Sequence, residues 1–177
     1  MKTGLLKLIS LLCICFFLCS CALGSDSDTT KVVKSEDGKM ELTIPSNWND
    51  NDEDLHDEAE LRVSSYSEEK YAIVLNEEKE SFEDDMTLQE YHDLIIGNMK
   101  ESIDNFEASE PTETDLNGNK AILVEIKGSV DKIKVVYWIY TLESTNNFTQ
   151  VIGWTLQKDG EKNKEAIMKV MNSFKIQ

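Results

Sequence analysis

The chain has 177 residues, with 34 Asp and Glu against 18 Lys and Arg, which gives a formal net charge of -16. Hydrophobic residues make up 40% of the chain, an ordinary share for one globular domain. So large a negative charge opposes binding to nucleic acid and to the surface of an anionic membrane, so we expect no nucleic-acid partner.

Residues 1–20 have the pattern of a secretory signal peptide. Lys2 and Lys7 precede an uncharged, mostly apolar run over residues 8–19, which is too short to span a bilayer comfortably. All 4 cysteines of the chain lie within residues 13–21. The rest of the chain therefore contains no disulfide, cysteine-ligated zinc or cysteine nucleophile.

Residues 18–22, Leu-Cys-Ser-Cys-Ala, resemble the lipobox of bacterial lipoprotein precursors. This resemblance implies that Cys21 receives a diacylglyceryl group and becomes the mature N-terminus; the alternative is a cleaved signal peptide followed by an incidental cysteine. Two or three acyl chains on one residue anchor a protein stably. We therefore expect a lipoprotein on the extracytoplasmic face of the cell membrane, with the membrane as its partner through this lipid.

Residues 21–30 are small and polar after the cysteine and predict a flexible tether. Arg62 is the single arginine beside 17 lysines, a composition typical of an AT-rich genome that favours a Gram-positive source. Residues 31–177 are predicted to form one globular domain, because a chain of this size buries enough surface for one core.

The predicted domain begins with a hairpin. Extended runs at residues 31–35 and 40–44 flank a turn in which Gly38 takes the position that needs a positive φ. Pro45 cannot donate to a strand ladder and ends the second run. Residues 47–60 are almost wholly polar and predict a solvated acidic loop.

Two strands at residues 61–65 and 71–75 are predicted next, followed by a helix. Thr87 and Glu90 have the spacing of a capping box, in which each side chain bonds a free amide at the helix start. The helix is expected to end between residues 102 and 105. Its predicted apolar stripe consists of Leu88, Tyr91, Ile95 and Met99, broadened by Leu94, Ile96 and Ile103.

Asn117-Gly118 is a strong two-residue hairpin signal between strands at residues 112–116 and 120–127. Further strands at 133–142 and 148–156 complete a meander of three long strands. Both alternating faces of these strands are apolar, so both must be covered. A helix at 160–173 can cover one face and the helix from Thr87 the other. The sequence therefore predicts a three-layer α/β (α+β) sandwich, a largely antiparallel β-sheet flanked by helices.

The order and type of these elements over residues 31–176 resemble the PsbP-like or Mog-like family. This resemblance implies an antiparallel sheet flanked by helices in a mostly non-enzymatic accessory or binding protein, and no catalytic or ligand-binding motif of the family can be matched. It is carried by residues 36–40 (Glu-Asp-Gly-Lys-Met), 44–48 (Ile-Pro-Ser-Asn-Trp), 116–121 (Leu-Asn-Gly-Asn-Lys-Ala) and 173–175 (Ser-Phe-Lys).

The acidic loop holds the weak candidates for a divalent-cation site. The favoured interpretation is a solvated acidic surface, because clustered acids usually face solvent. The loop also lacks the central glycine and the final glutamate of an EF-hand. The four candidate ligands are Asp52, Asp54, His56 and Glu58.

Several aromatic residues and one histidine are the remaining candidates. Trp48 follows Pro45, is expected to be partly exposed, and is a weak ligand-contact candidate. His92 is expected to have a partly exposed structural role. Five strand aromatics predict either a ligand groove or, as the favoured interpretation, core packing: Tyr71, Tyr137, Trp138, Tyr140 and Trp154.

No catalytic residue and no cofactor is predicted, because the sequence has no Gly-x-Ser-x-Gly elbow, phosphate loop or His-Glu-x-x-His motif. The favoured function is a membrane-anchored, non-enzymatic binding or accessory module with an envelope protein as partner. One alternative is a divalent-cation-binding protein acting through the acidic loop. The other is a carboxylate-dependent hydrolase, which predicts a deep pocket with two carboxyl groups about 5 to 10 Å apart and with perturbed pKa values.

Overall fold

The computed structural model describes residues 29–83 and 85–176. The predicted signal peptide, Cys21 and all but the last two residues of the predicted tether lie outside these residues. The strands are β1 (Thr30–Lys34), β2 (Met40–Pro45), β3 (Asn49–Asp50), β4 (Leu61–Ser65), β5 (Lys70–Glu78), β6 (Asp104–Ala108), β7 (Thr112–Leu116), β8 (Asn119–Val130), β9 (Ile133–Glu143), β10 (Asn147–Leu156) and β11 (Lys175–Ile176); the helices are α1 (Leu88–Ser102) and α2 (Gly160–Met171).

The main sheet contains eight strands in the order β3-β4-β5-β10-β9-β8-β6, with β7 also paired to β8. Each pair of neighbouring strands in this sheet is antiparallel. The predicted meander is confirmed by β8, β9 and β10, which have 12, 11 and 10 residues. These three strands lie next to one another within the main sheet.

The predicted first hairpin forms but does not join the main sheet. Strands β1 and β2 pair with the short C-terminal strand β11 in a separate three-stranded sheet. Met40, Leu42 and Ile44 on β2 are buried in one core together with Ile167 and Phe174. The outer layer on this side therefore consists of α2 and a small sheet, where the sequence predicts the helix alone.

The two faces of the main sheet carry separate cores, because successive side chains of a strand point to opposite faces. The α2 face includes Trp138, Tyr140 and Leu142 under α2 and the small sheet. The α1 face includes Ile139 and Ile152, with Met99 of α1 packed against them. The structure thus confirms the predicted three-layer α/β architecture with an antiparallel sheet.

The predicted turns adopt the backbone that their residues favour. Gly38 has φ of 74°. Asn117 and Gly118 have φ of 52° and 92°, as a type I′ hairpin turn requires. The Asn117 side chain also donates hydrogen bonds to the carbonyls of Asn172 and Phe174 at 2.9 and 2.7 Å. This turn therefore caps the end of α2 as well as joining β7 to β8.

Helix α1 begins with the predicted capping box, formed by Thr87 and Glu90 in both directions. Its inward face is narrower than the predicted stripe, since Leu94 is 41% exposed. The helix ends at Ser102, inside the predicted range, but an unpredicted strand, β6, follows. This strand pairs with β8 across an irregularity between Asp104 and Glu107, and its mostly polar sequence contains no alternation that predicts a strand.

Helix α2 lies unusually close to the sheet at Gly153 on β10. Gly153 pairs with Ala72 on one side and with Trp138 on the other. A Cβ atom at this position would overlap the Ile167 side chain and lie 2.6 Å from Met171 Sδ. The absence of a side chain at position 153 therefore allows α2 to pack directly on the strand.

Candidate functional site: an open aromatic row

Four aromatic side chains form a continuous row on the α1 face of the main sheet. Tyr71 on β5, Trp154 on β10 and Tyr137 on β9 are directly opposite one another in the strand register. Tyr66, from the turn between β4 and β5, contacts the end of this series. We call Tyr66, Tyr71, Trp154 and Tyr137 the aromatic row.

The rings of the aromatic row contact one another in sequence. Tyr71 and Trp154 are stacked, with centroids 5.3 Å apart and planes at 17°. Tyr66 meets Tyr71 edge-on at 5.8 Å and 76°. Tyr137 lies 6.2 Å from Trp154 with planes at 36°. These separations are within the range of favourable aromatic pairs, so the row is a preorganised surface.

The aromatic row is partly open because α1 covers other parts of the sheet face. The first turn of α1 places Tyr91 on Phe148, with ring centroids 4.4 Å apart. Further along the helix, Met99 packs on the isoleucine core. A helix about 10 Å wide covers only about two strands spaced 4.8 Å apart. Tyr66 is consequently 48% exposed, and the other three rings are half-buried.

Carboxylates bond the two tyrosines at one end of the row. The Tyr66 hydroxyl donates to Asp52 at 2.9 Å, and the Tyr71 hydroxyl donates to Glu69 at 2.7 Å. The hydrogen bond to Asp52, with the nearby charge of Asp54, raises the pKa of Tyr66. Burial and then the bond to Glu69 raise the pKa of Tyr71. Both phenols therefore stay protonated, and each hydroxyl hydrogen points at its carboxylate partner.

The acidic loop does not bring the four predicted cation ligands together. Asp52 accepts hydrogen bonds from Tyr66 and Ser64, while Asp54, His56 and Glu58 are exposed. His56 Nδ1 accepts from the Glu58 backbone at 3.2 Å in a local turn. Within residues 29–83 and 85–176, no group of three or more His, Cys, Asp or Glu is arranged to hold a metal ion. The cation-binding alternative has no geometric support in this part of the chain.

The loop is also less solvated than its composition predicts. Leu55 and Ala59 pack against Ile73 on the α1 face. Residues 49–50 form the short strand β3, paired to β4. These contacts hold the acidic segment beside the tyrosine end of the aromatic row.

The structure divides the five strand aromatics between two environments. Trp138 and Tyr140 are 3% and 6% exposed on the α2 face, so the core interpretation is confirmed for them. Tyr71, Tyr137 and Trp154 lie half-buried on the opposite face. Tyr137 and Trp154 pack against the core of the α1 face and Tyr71 stacks on Trp154, so the core interpretation holds for these three only in part, and one side of each ring is left uncovered by α1.

The expected exposure of Trp48 is wrong. Trp48 is 3% exposed and packs in the core of the α2 face. The turn after Pro45, in which the Trp48 amide donates to the Pro45 carbonyl at 3.0 Å, directs the chain back over the sheet. Trp48 is therefore a core residue and offers no ligand contact.

His92 is also more buried than predicted. It lies on the inner side of α1 with 3% of its surface exposed, and its Nδ1 lies 3.0 Å from Thr141 Oγ1. Burial lowers the pKa of His92. The neighbouring Tyr91 hydroxyl bonds Glu77 and accepts from Gln150. This polar cluster attaches α1 to the sheet. His92 therefore has a structural role, as predicted, but it is buried and not partly exposed.

The hydrolase alternative is not supported by the carboxyl groups of the described residues whose pKa is resolved. Asp37, Glu60 and Glu78 line an open cavity of about 300 Å³. The Lys39 backbone amide and the Ser35 hydroxyl lower the pKa of Asp37 to about 2, whereas a general acid needs a raised pKa. Within the described residues, each carboxyl group with a resolved shift has a lowered pKa.

Comparison with solved structures identifies the fold. The chain resembles cyanobacterial PsbP (CyanoP) from Synechocystis sp. PCC 6803, with a TM-score of 0.61 and 14% identity over 88% of this chain and 99% of that chain. It also resembles LpqN of Mycobacterium tuberculosis, described as involved in cell envelope biogenesis, with a TM-score of 0.61 and 13% identity over 84% and 90% of the two chains. The predicted PsbP-like fold is confirmed.

A protein of unknown function from Pseudomonas aeruginosa has the same fold, with a TM-score of 0.53 and 11% identity over 81% of this chain and 94% of that chain. No protein-family model and no curated protein sequence matches this chain. Neither helix of the described residues is long and apolar enough to cross a membrane.

Proposed function

We propose that the protein is a non-enzymatic binding module, held at the outer face of the cell membrane by a lipid on Cys21, that binds a partner through the aromatic row. The observation that carries this proposal is a contiguous, preorganised aromatic surface left open by α1. Tyrosine and tryptophan are enriched in protein interfaces. A partly open cluster of such rings on a well-packed domain is typical of a binding surface.

The location follows from the sequence and is supported by one structural relative. The Leu-Cys-Ser-Cys-Ala segment at residues 18–22 has the lipobox pattern, and the similarly folded LpqN is described as involved in cell envelope biogenesis. The small, polar composition of residues 22–30 predicts a tether between the lipid and the domain. Such a tether keeps the domain near the membrane and leaves the aromatic row free to meet other envelope components.

Replacing Cys21 by alanine is expected to release the protein from the membrane without unfolding it, because the lipid is attached beyond the folded domain. Cys19→Ala, two residues earlier, is the matched control and should leave anchoring intact. Detergent phase partition of whole cells, with immunodetection, measures the effect. If the Cys21 variant enters the detergent phase as the parent does, the anchoring proposal is wrong.

A photocrosslinking amino acid at position 66 should capture an envelope component in intact cells, because Tyr66 is the most exposed member of the aromatic row. The same group at Glu113, an exposed position on β7 near the opposite edge of the sheet, is the control. Mass analysis should find an adduct at position 66 that is absent at position 113. Identical adducts at both positions would show that the row is not the binding surface.

A further inference from the structure

The proposed binding surface also indicates the chemistry of its partner. Resting on that proposed function, we propose that the aromatic row binds a cationic segment of a partner protein, with arginine or lysine side chains lying on its rings. The carboxylates of Asp52, Asp54 and Glu69, which we call the acidic edge, attract these side chains. Three observations support this choice of ligand: local charge, hydrogen-bond polarity and the exposure of the Tyr66 ring.

The local charge favours a cation. Residues 50–70, which surround the tyrosine end of the row, contain nine Asp and Glu, one of which (Asp50) is paired with Lys31, against Arg62 and Lys70. Both of these basic side chains are already engaged within the protein: Arg62 Nη2 donates to the Asp57 carbonyl at 2.8 Å and Lys70 Nζ to Glu68 at 3.1 Å. A negative potential is therefore available to an incoming cation and increases its association rate.

Hydrogen-bond polarity distinguishes a cation from a sugar. The hydroxyl hydrogens of Tyr66 and Tyr71 are donated to Asp52 and Glu69, so these pairs present lone pairs and ring faces to a ligand. Ammonium and guanidinium groups are donors without acceptors and match that arrangement. Sugar hydroxyls also need donors, which the tyrosines at this end of the row do not supply.

Ring geometry leaves room for a cation at the tyrosine end of the row. Tyr71 and Trp154 are stacked and cover one face of each other, whereas Tyr66 is 48% exposed. A cation over a tyrosine or tryptophan ring gains about 0.5 to 2 kcal/mol. The protein already contains such a contact, with Lys164 Nζ 5.7 Å from the Trp138 ring centroid. An extended Arg-x-Arg segment can therefore place one guanidinium on Tyr66 and the other against the acidic edge.

The probe is the peptide acetyl-Gly-Arg-Gly-Arg-Gly-amide, compared with the same peptide carrying neutral citrulline at both arginine positions. It is titrated into the mature lipidated protein in a non-ionic detergent. Tryptophan fluorescence reports binding, because Trp48 and Trp138 are each 3% exposed while Trp154 is half-buried. We expect the arginine peptide to bind about tenfold more tightly than the citrulline peptide.

Paired variants separate this site from general attraction to an acidic protein. Tyr66→Leu, and separately Asp54→Asn with Glu69→Gln, should each weaken binding about tenfold. Glu110→Gln with Glu113→Gln removes the same charge from exposed positions near the opposite edge of the sheet and should change affinity less than twofold. Circular dichroism of each variant confirms that it is folded.

Three results would overturn the inference. They are equal binding of both peptides, equal weakening by the two double variants that remove negative charge, and unchanged binding in Tyr66→Leu. Binding of neutral maltotriose that is lost in Tyr66→Leu would assign the row to carbohydrate instead. If position 66 still crosslinks an envelope component while the arginine peptide does not bind, this inference fails and the proposed function stands. If position 66 also captures nothing, both fail.

Discussion

Replacing Trp138 by alanine is expected to lower the free energy of unfolding by about 3 to 5 kcal/mol, because it leaves a large cavity in the core. Trp138 is 3% exposed in the centre of the α2 face. Its strand, β9, is paired on both sides, so the backbone cannot collapse into the space. Urea denaturation of parent and variant measures the difference. A loss below about 1 kcal/mol would place Trp138 outside the core.

Trp138→Phe separates the hydrogen bond of this side chain from its volume. Trp138 Nε1 donates to Glu125 at 2.9 Å. Burial by itself raises the pKa of Glu125, but hydrogen bonds from Lys164, Lys127 and Trp138 outweigh it and lower the pKa to about 2. The phenylalanine variant loses one of these donors, which should cost about 1 to 2 kcal/mol at neutral pH in addition to a smaller packing loss.

The pH dependence of that loss has a definite sign. A carboxyl group with a depressed pKa in the folded state contributes stability that is present above its unfolded pKa and lost as pH falls through its folded pKa. The contribution of Glu125 should therefore be complete above pH 4.5 and disappear towards pH 2. The difference between parent and Trp138→Phe should shrink over the same interval. A difference that is constant with pH would show that Trp138 does not stabilise the Glu125 carboxylate.

Replacing Gly153 by valine is expected to destabilise the domain by about 3 kcal/mol, because the added atoms overfill a closely packed contact. The space that they need is occupied by Ile167 and Met171 of α2, both of which are fully buried. Since α2 is held by its own core contacts and by the Asn117 cap, it cannot withdraw without exposing apolar surface. Urea denaturation again measures the change.

Gly97→Ala is the matched control for a glycine substitution. Gly97 lies on the exposed side of α1, where a Cβ atom would meet nothing within 4 Å. Alanine has a higher helix propensity than glycine, so this variant should gain about 0.5 to 1 kcal/mol. The opposite signs at the two glycines test the close approach of α2. Equal effects at positions 97 and 153 would mean that α2 does not contact β10 as described.

The local features of the fold could be predicted from sequence because each depends on neighbouring residues. Positive φ at Gly38 and Gly118, the Thr87 capping box and the alternation along the central strands are properties of a few consecutive positions. The strands β6 and β11 were not predicted, because they form through contacts with residues that are distant in sequence. Their residues carry little apolar alternation, and their pairing depends on β8 and β2 being already in place.

The candidate site depends on where α1 lies over the sheet, and the sequences of the strands do not specify this position. Residues 135–140 are apolar on both faces, and this pattern indicates that each face needs a cover without indicating how far the cover extends. The same ambiguity applies to Trp48 and His92, whose burial depends on where the chain crosses the sheet. Only the three-dimensional placement distinguishes the fully covered Trp138 from Trp154, which packs at the edge of the other core and stays partly open.

By itself, the sequence determined the order of the elements, their turns and caps, the need for three layers and the lipobox pattern, since these follow from local chemistry and side-chain periodicity. Only the tertiary structure decided which aromatic residues are covered. One helix is too narrow to cover a sheet of this width. Where α1 crosses the sheet is set by the packing of Tyr91, His92 and Met99, and its position leaves Tyr71, Trp154 and Tyr137 open beside the acidic edge.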